Sequence, residues 1–125
     1  MTVDSADQAS GLFRDAFALE EAGDWEGALP TRRELLAFLP SEEKFILALA
    51  RNLSNLGRVT EAEEWYRKSI FIHPYSELSS LHLFHFLWGL EQTDDAFIEM
   101  KRFQSISHSD DYMEIVREIN KNSPA

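Results

Sequence analysis

The chain has 125 residues, 44% hydrophobic and 12% aromatic, which suits one folded domain with a core of its own. A formal net charge of -10 and a pI near 4.7 argue against nucleic acid, whose phosphates need a basic stripe, and against anionic membrane surfaces. The absence of cysteine excludes disulfides, thiolate zinc sites and cysteine nucleophiles.

Met1 to Ser10 is polar and acidic and has no apolar signal core. No apolar run reaches the roughly 18 residues that span a bilayer. The cytoplasm is therefore the expected location. From there the chain repeats. Shifted by 34 residues, Leu19 falls on Leu53 and Leu87, and Ala28 on Ala62 and Ala96. Phe13, Leu47 and Leu81 align, as do Phe38, Ile72 and Ile106. Gly23 meets Gly57 and Pro40 meets Pro74, while Leu12 and Ile46 meet a polar residue, Ser80.

The first repeat, about 9–42, reads as two helices with Gly23 between them. Pro30 lies five residues after Trp25, inside the second helix. A late start or a slight kink is expected there, because proline removes a backbone donor. In the second repeat, about 43–76, Ile46, Leu49, Ala50 and Leu53 sit at helical spacing. Gly57 ends that helix. Thr60 and Glu63 have capping-box spacing for the next. Ala62, Tyr66, Ser69 and Ile70 form the buried stripe of the second helix, and Pro74 closes the unit. Ala50 and Ala62 are small where two helices must approach. A single hairpin cannot bury its apolar face, so stacking supplies the core.

The third repeat, about 77–110, contains a run from Leu81 to Trp88 that is apolar on several sides, as expected of a helix buried between neighbours. The same richness would suit self-association, so a homodimer stands as a second use of this helix. The last segment, about 110–122, begins with Ser109 as N-cap and an acidic first turn, Asp110 and Asp111. Tyr112, Ile115, Val116 and Ile119 then make one apolar stripe, and 122–125 should fray.

The second repeat resembles a tetratricopeptide repeat over its whole length, through Leu49, Ala50, Leu53, Gly57, Ala62, Tyr66, Ser69 and Pro74. The first matches at Ala16, Leu19, Gly23, Asp24, Trp25, Ala28 and Pro40, and departs at Asp15 and at Arg32, where an aromatic is usual. The third matches at Leu83, Leu87 and Ala96, and departs at Glu91, where glycine is usual, and at His108, where proline is usual. The resemblance implies an all-α fold, a right-handed superhelical stack of helix-turn-helix hairpins. Residues 1–125 would form one domain, closed by a C-terminal capping helix.

In such stacks the first helix of each hairpin lines the concave face. The resemblance therefore points to Phe13 and Phe17 in the first repeat, Lys44, Leu47, Arg51 and Asn55 in the second, and Leu78, Leu81, His85 and Trp88 in the third. Arginine can hold a carboxylate through two hydrogen bonds, and Trp and Phe supply apolar contact. The expected function is non-catalytic binding of a partner protein or peptide in this groove. Co-chaperones of the family clamp chaperone C-termini with Lys, Asn and Arg. Phe13, Phe17, Leu78 and His82 stand where such residues would be needed, so that activity is not expected. The other reading is a dedicated chaperone or immunity-type protein that sequesters one cognate, basic partner by its acidic edges. Met1 to Asp7 is too short to supply the extra N-terminal helix of the secretion chaperones.

Catalytic signals are weak. His82 and His85 are three residues apart, a spacing that can bind metal, but no carboxylate lies beside them as a third ligand. Adjacent carboxylates such as Glu63-Glu64 and Asp94-Asp95 point different ways on a helix and form no acid/base dyad. There is no Gly-x-Ser-x-Gly elbow and no glycine-rich phosphate loop. No enzyme activity, cofactor or metal is expected.

Overall fold

A computed structural model describes residues Ser5–Asn122; the expected fraying of 123–125 lies outside them. All regular structure among the described residues is helical: α1 (Ser5–Glu21), α2 (Trp25–Phe38), α3 (Glu43–Asn55), α4 (Val59–Ile72), α5 (Glu77–Gly89), α6 (Thr93–Gln104) and α7 (Asp110–Lys121). They fall into two compact units, one ending at His73 and one starting at Pro74.

In the N-terminal unit α1 packs on α2, α2 on α3 and α3 on α4. Ala16, Ala28, Ala50 and Ala62 are fully buried, so the helices approach over small side chains. Leu35, Ile46, Leu49 and Leu53 fill the spaces between them, as the helical spacing of the sequence requires. In the C-terminal unit α5 packs on α6 around Leu83, Leu87, Ala96 and Phe103. Tyr112 brings α7 into the same core through edge contact with Phe84 at 5.4 Å and a tilted contact with Phe103 at 6.1 Å.

Each hairpin turns in the same way. The N–H groups of Asp24, Arg58 and Gln92 donate to the carbonyls of Leu19, Leu53 and Leu87, at 2.8, 2.9 and 3.0 Å. The residues before them, Gly23, Gly57 and Glu91, take φ of 85°, 79° and 63°. This is the left-handed turn that ends a helix by satisfying its last carbonyls. Glycine adopts it freely; Glu91, with a Cβ, does so under strain. The turn geometry thus persists in the third hairpin where the glycine does not.

Two local expectations are corrected. Helix α4 starts at Val59, with Arg58 at the cap position and no side-chain cap bond. The Ala62 N–H already donates to the Arg58 carbonyl at 3.0 Å, so the new helix begins directly after the turn and Thr60 falls inside its first turn. Glu63, free of capping, accepts from Arg67 instead at 2.8 Å. For α2 it is the late start that is corrected: the helix begins at Trp25 and continues through Pro30. Pro30 and Glu26, whose carbonyl would have taken the missing bond, are both exposed, so water can serve that carbonyl. Asp24 caps the helix by accepting from the Gly27 N–H at 2.9 Å. A Cβ on Gly27 would lie 2.2 Å from the Asp24 carboxylate, so glycine makes room for this cap.

Candidate functional site

In the N-terminal unit, one departure from the repeat, Arg32, sits in a buried polar cluster. Arg32 is 3% exposed. It donates to Glu20 twice, through Nε at 3.1 Å and Nη2 at 2.6 Å. Asn52 adds a third bond to Glu20 at 2.8 Å and one to the Trp25 carbonyl at 2.9 Å. Phe13 lies against the Arg32 guanidinium, 5.0 Å from ring centre to Cζ, and against Phe45 at 6.1 Å. Above this cluster is a small pocket of about 200 Å3 lined by Phe13, Phe17, Trp25, Arg32 and Arg51. Phe17 is 51% exposed. Arg51 sits 5.6 Å over the Trp25 ring, a cation held by an aromatic face.

The predicted residues of this unit do not all reach that pocket. Lys44 lines a separate groove of about 790 Å3 with Phe13, Phe45, Leu39 and Arg14. Asn55 is exposed, but its amide donates to the Arg51 carbonyl one turn back, at 2.9 Å. Leu47 is only 4% exposed. It is a core residue, so its place among the ligand-facing residues is corrected: the apolar stripe of α3 is wide enough to take it inside.

In the C-terminal unit three predicted residues converge. Leu81, His85 and Trp88 line an open groove of about 500 Å3 against Ile115 and Ile119 of α7, with Phe84 beneath. Trp88 stacks on Phe84 at 5.8 Å with 18° between the rings, and meets Phe97 edge-on at 5.7 Å. Asp111, Glu114 and Glu118 form the α7 rim. Leu78, 43% exposed, is not part of this groove. Sequence reasoning missed Ile115, Ile119 and the three carboxylates because it read α7 as a cover. The available signal was the spacing of 111, 114 and 118, which places three acids on one helical stripe.

A polar network seats α7. Ser80, fully buried, donates to Glu99 at 2.6 Å. Since a carboxylate only accepts, the Tyr112 hydroxyl must donate to Ser80, at 2.7 Å. Arg102 donates to both Glu99 oxygens at 2.8 Å and to the Pro74 carbonyl at 3.0 Å. Burial pushes the Tyr112 hydroxyl up to about 12, and the nearby Glu99 adds to the effect. Ser109 caps α7 by accepting from the Tyr112 N–H at 3.1 Å.

His82 is half-buried and His85 exposed, with the His85 ring edge-on to Phe84 at 5.4 Å. Among the described residues no three His, Asp or Glu side chains are grouped to hold a metal ion, and no helix is long and apolar enough to cross a membrane.

No family model matches the chain, and no curated protein matches it in sequence. Solved structures do. The type III secretion translocator chaperone SycD from Yersinia enterocolitica aligns with a TM-score of 0.75 at 18% identity, over 94% of this chain and 88% of that one. SycD is also known in complex with a peptide of the translocator YopD. The CopN–Scc3 complex aligns with a TM-score of 0.75 at 15% identity, over 98% of this chain and 72% of the matched one. The Sgt2 TPR domain from Aspergillus fumigatus aligns with a TM-score of 0.69 at 15% identity, over 94% and 86%. Identities this low speak to architecture alone, and the architecture is that of the all-α, tetratricopeptide-like helical-repeat fold.

Proposed function

We propose that this protein is a non-catalytic binding module that holds a partner protein or peptide on the solvent-open faces of its hairpins. The observation that carries this reading is the exposure of large rings beside charge. Phe17 is 51% and Trp88 40% exposed, each in a pocket with charged neighbours. Rings so placed keep apolar area open that contact with a ligand would bury. The likeness to SycD, a chaperone seen with a translocator peptide, supports the same reading. We further propose a cytoplasmic location, no enzymatic activity, and no role in binding nucleic acid or membranes, in keeping with the net charge of -10.

A second reading is a dedicated chaperone or immunity-type protein with one basic partner. The acidic α7 rim favours it. Capture of partners from the native cell, at low and high salt, separates the two. Several partners sharing a short segment, with affinity lost about tenfold in Arg51→Glu, mark an adaptor that uses the Arg51 face. One partner in equal amount, released by salt and indifferent to Arg51→Glu, marks the dedicated role. Arg51 is exposed, so the variant should melt close to the parent; normal capture of every partner by it removes the Arg51 pocket from the binding surface.

A further inference from the structure

We infer that the groove between α5 and α7 takes a partner segment with aliphatic or aromatic anchor side chains flanked by lysine or arginine. This rests on the binding-module reading and names the chemistry of its ligand. The floor and walls are mainly apolar, Leu81, Phe84, Trp88, Ile115 and Ile119, with His85 among them. At about 500 Å3 the groove lies within the usual range for ligand pockets, about 300–1,000 Å3. It suits a few inserted side chains, not the body of a helix about 10–12 Å across.

The rim sets the sign of the flanks. Asp111, Glu114 and Glu118 run along one stripe of α7 for about 10 Å. Arg117 and Lys121 pair with Glu114 and Glu118. These pairs are largely exposed on both sides, so they are weak and yield readily to a ligand cation. Asp111 is exposed beside them. A cationic flank would meet three carboxylates, and an anionic flank would be repelled by them. Apolar anchors would carry the affinity, while the carboxylates would speed encounter and reject acidic competitors.

The same rim disfavours a second copy of this chain as occupant. A two-fold pairing through the groove would bring both acidic rims into one interface, on molecules that each carry a charge of -10.

The test uses the full chain and two dye-labelled peptides with identical leucine and phenylalanine anchors, one flanked by lysines and one by glutamates. Fluorescence anisotropy should show the lysine peptide binding at least about tenfold more tightly, with the advantage shrinking as salt rises. The double variant Glu114→Lys/Glu118→Lys, altered only at exposed positions, should reverse the preference. Equal affinity for both peptides overturns the charge selection and leaves a groove for apolar segments intact. Binding of neither peptide overturns the proposal and, with it, the use of this groove as a binding surface. Sedimentation showing a dimer that Leu81→Glu dissociates would make a second copy the occupant and also overturn it.

Discussion

In the N-terminal unit a guanidinium and a carboxylate, Arg32 and Glu20, are buried against each other where the repeat usually has an aromatic ring. In the C-terminal unit a serine stands in place of an aliphatic residue, and Glu99, Tyr112 and Arg102 close around it. Both arrangements fill an apolar gap with polar groups, but at different cost. Arg32 Nη1 and Asn52 Oδ1 are buried with no hydrogen-bond partner, so the N-terminal cluster carries unreturned desolvation. In the C-terminal network Arg102 reaches the surface, with its side chain 31% exposed, and water shares the load. A repeat can therefore depart from its apolar pattern in two ways: by a buried charge pair with hydrogen bonds left unmet, or by a network that drains to solvent.

The first way to sharpen that contrast is Arg32→Leu. Removing one partner of a buried pair strands the other, and urea denaturation should show a loss of about 3–5 kcal/mol. A loss below about 1 kcal/mol would mean that Glu20 is content with Asn52 alone, and the two clusters would be equivalent.

Next comes Tyr112→Phe, which leaves Ser80 bonded to Glu99 and should cost only about 1 kcal/mol. The hydroxyl also links stability to pH. Its folded value, about 12, lies above the ordinary value of 10, so the fold holds this proton more tightly than the unfolded chain does. The stability it contributes is complete below about pH 10 and is lost as pH climbs toward 12. Tyr66, raised to about 12 by burial in the other unit, behaves alike. Tyr112→Phe should thus flatten the alkaline fall in stability without abolishing it. An unchanged alkaline profile would show that Tyr112 ionises freely.

The smallest effect is expected from Glu91→Gly. It relieves a left-handed residue but loosens the unfolded chain, for a net gain of about 0.5 kcal/mol. A loss would show that the Glu91 side chain matters more than its backbone.

Period and punctuation were legible in the sequence. The 34-residue spacing, the turns at Gly23 and Gly57 and the cap at Ser109 all follow from local rules of helix geometry. What the sequence hid were partnerships at long separation. Arg32 and Asn52 lie 12 and 32 residues from Glu20, and nothing in the period of a helix says that they meet. Leu47 and Leu81 occupy the same place in the repeat, yet one is buried and the other lines a groove. Their neighbours decide, not their register. Thr60 had the right spacing for a cap, but the helix had already begun, with the Ala62 N–H donating to the Arg58 carbonyl two residues before Thr60.

Trp88 gives the α5–α7 groove a built-in optical reporter. The residue is 40% exposed and borders the space a ligand would enter, so occupancy would take water from the open part of its ring and shift its emission to shorter wavelength. Trp25 and Trp65, the other two indoles, belong to the N-terminal unit. With both changed to Phe, the chain would keep a single emitter beside the groove, and binding there could be followed without a label.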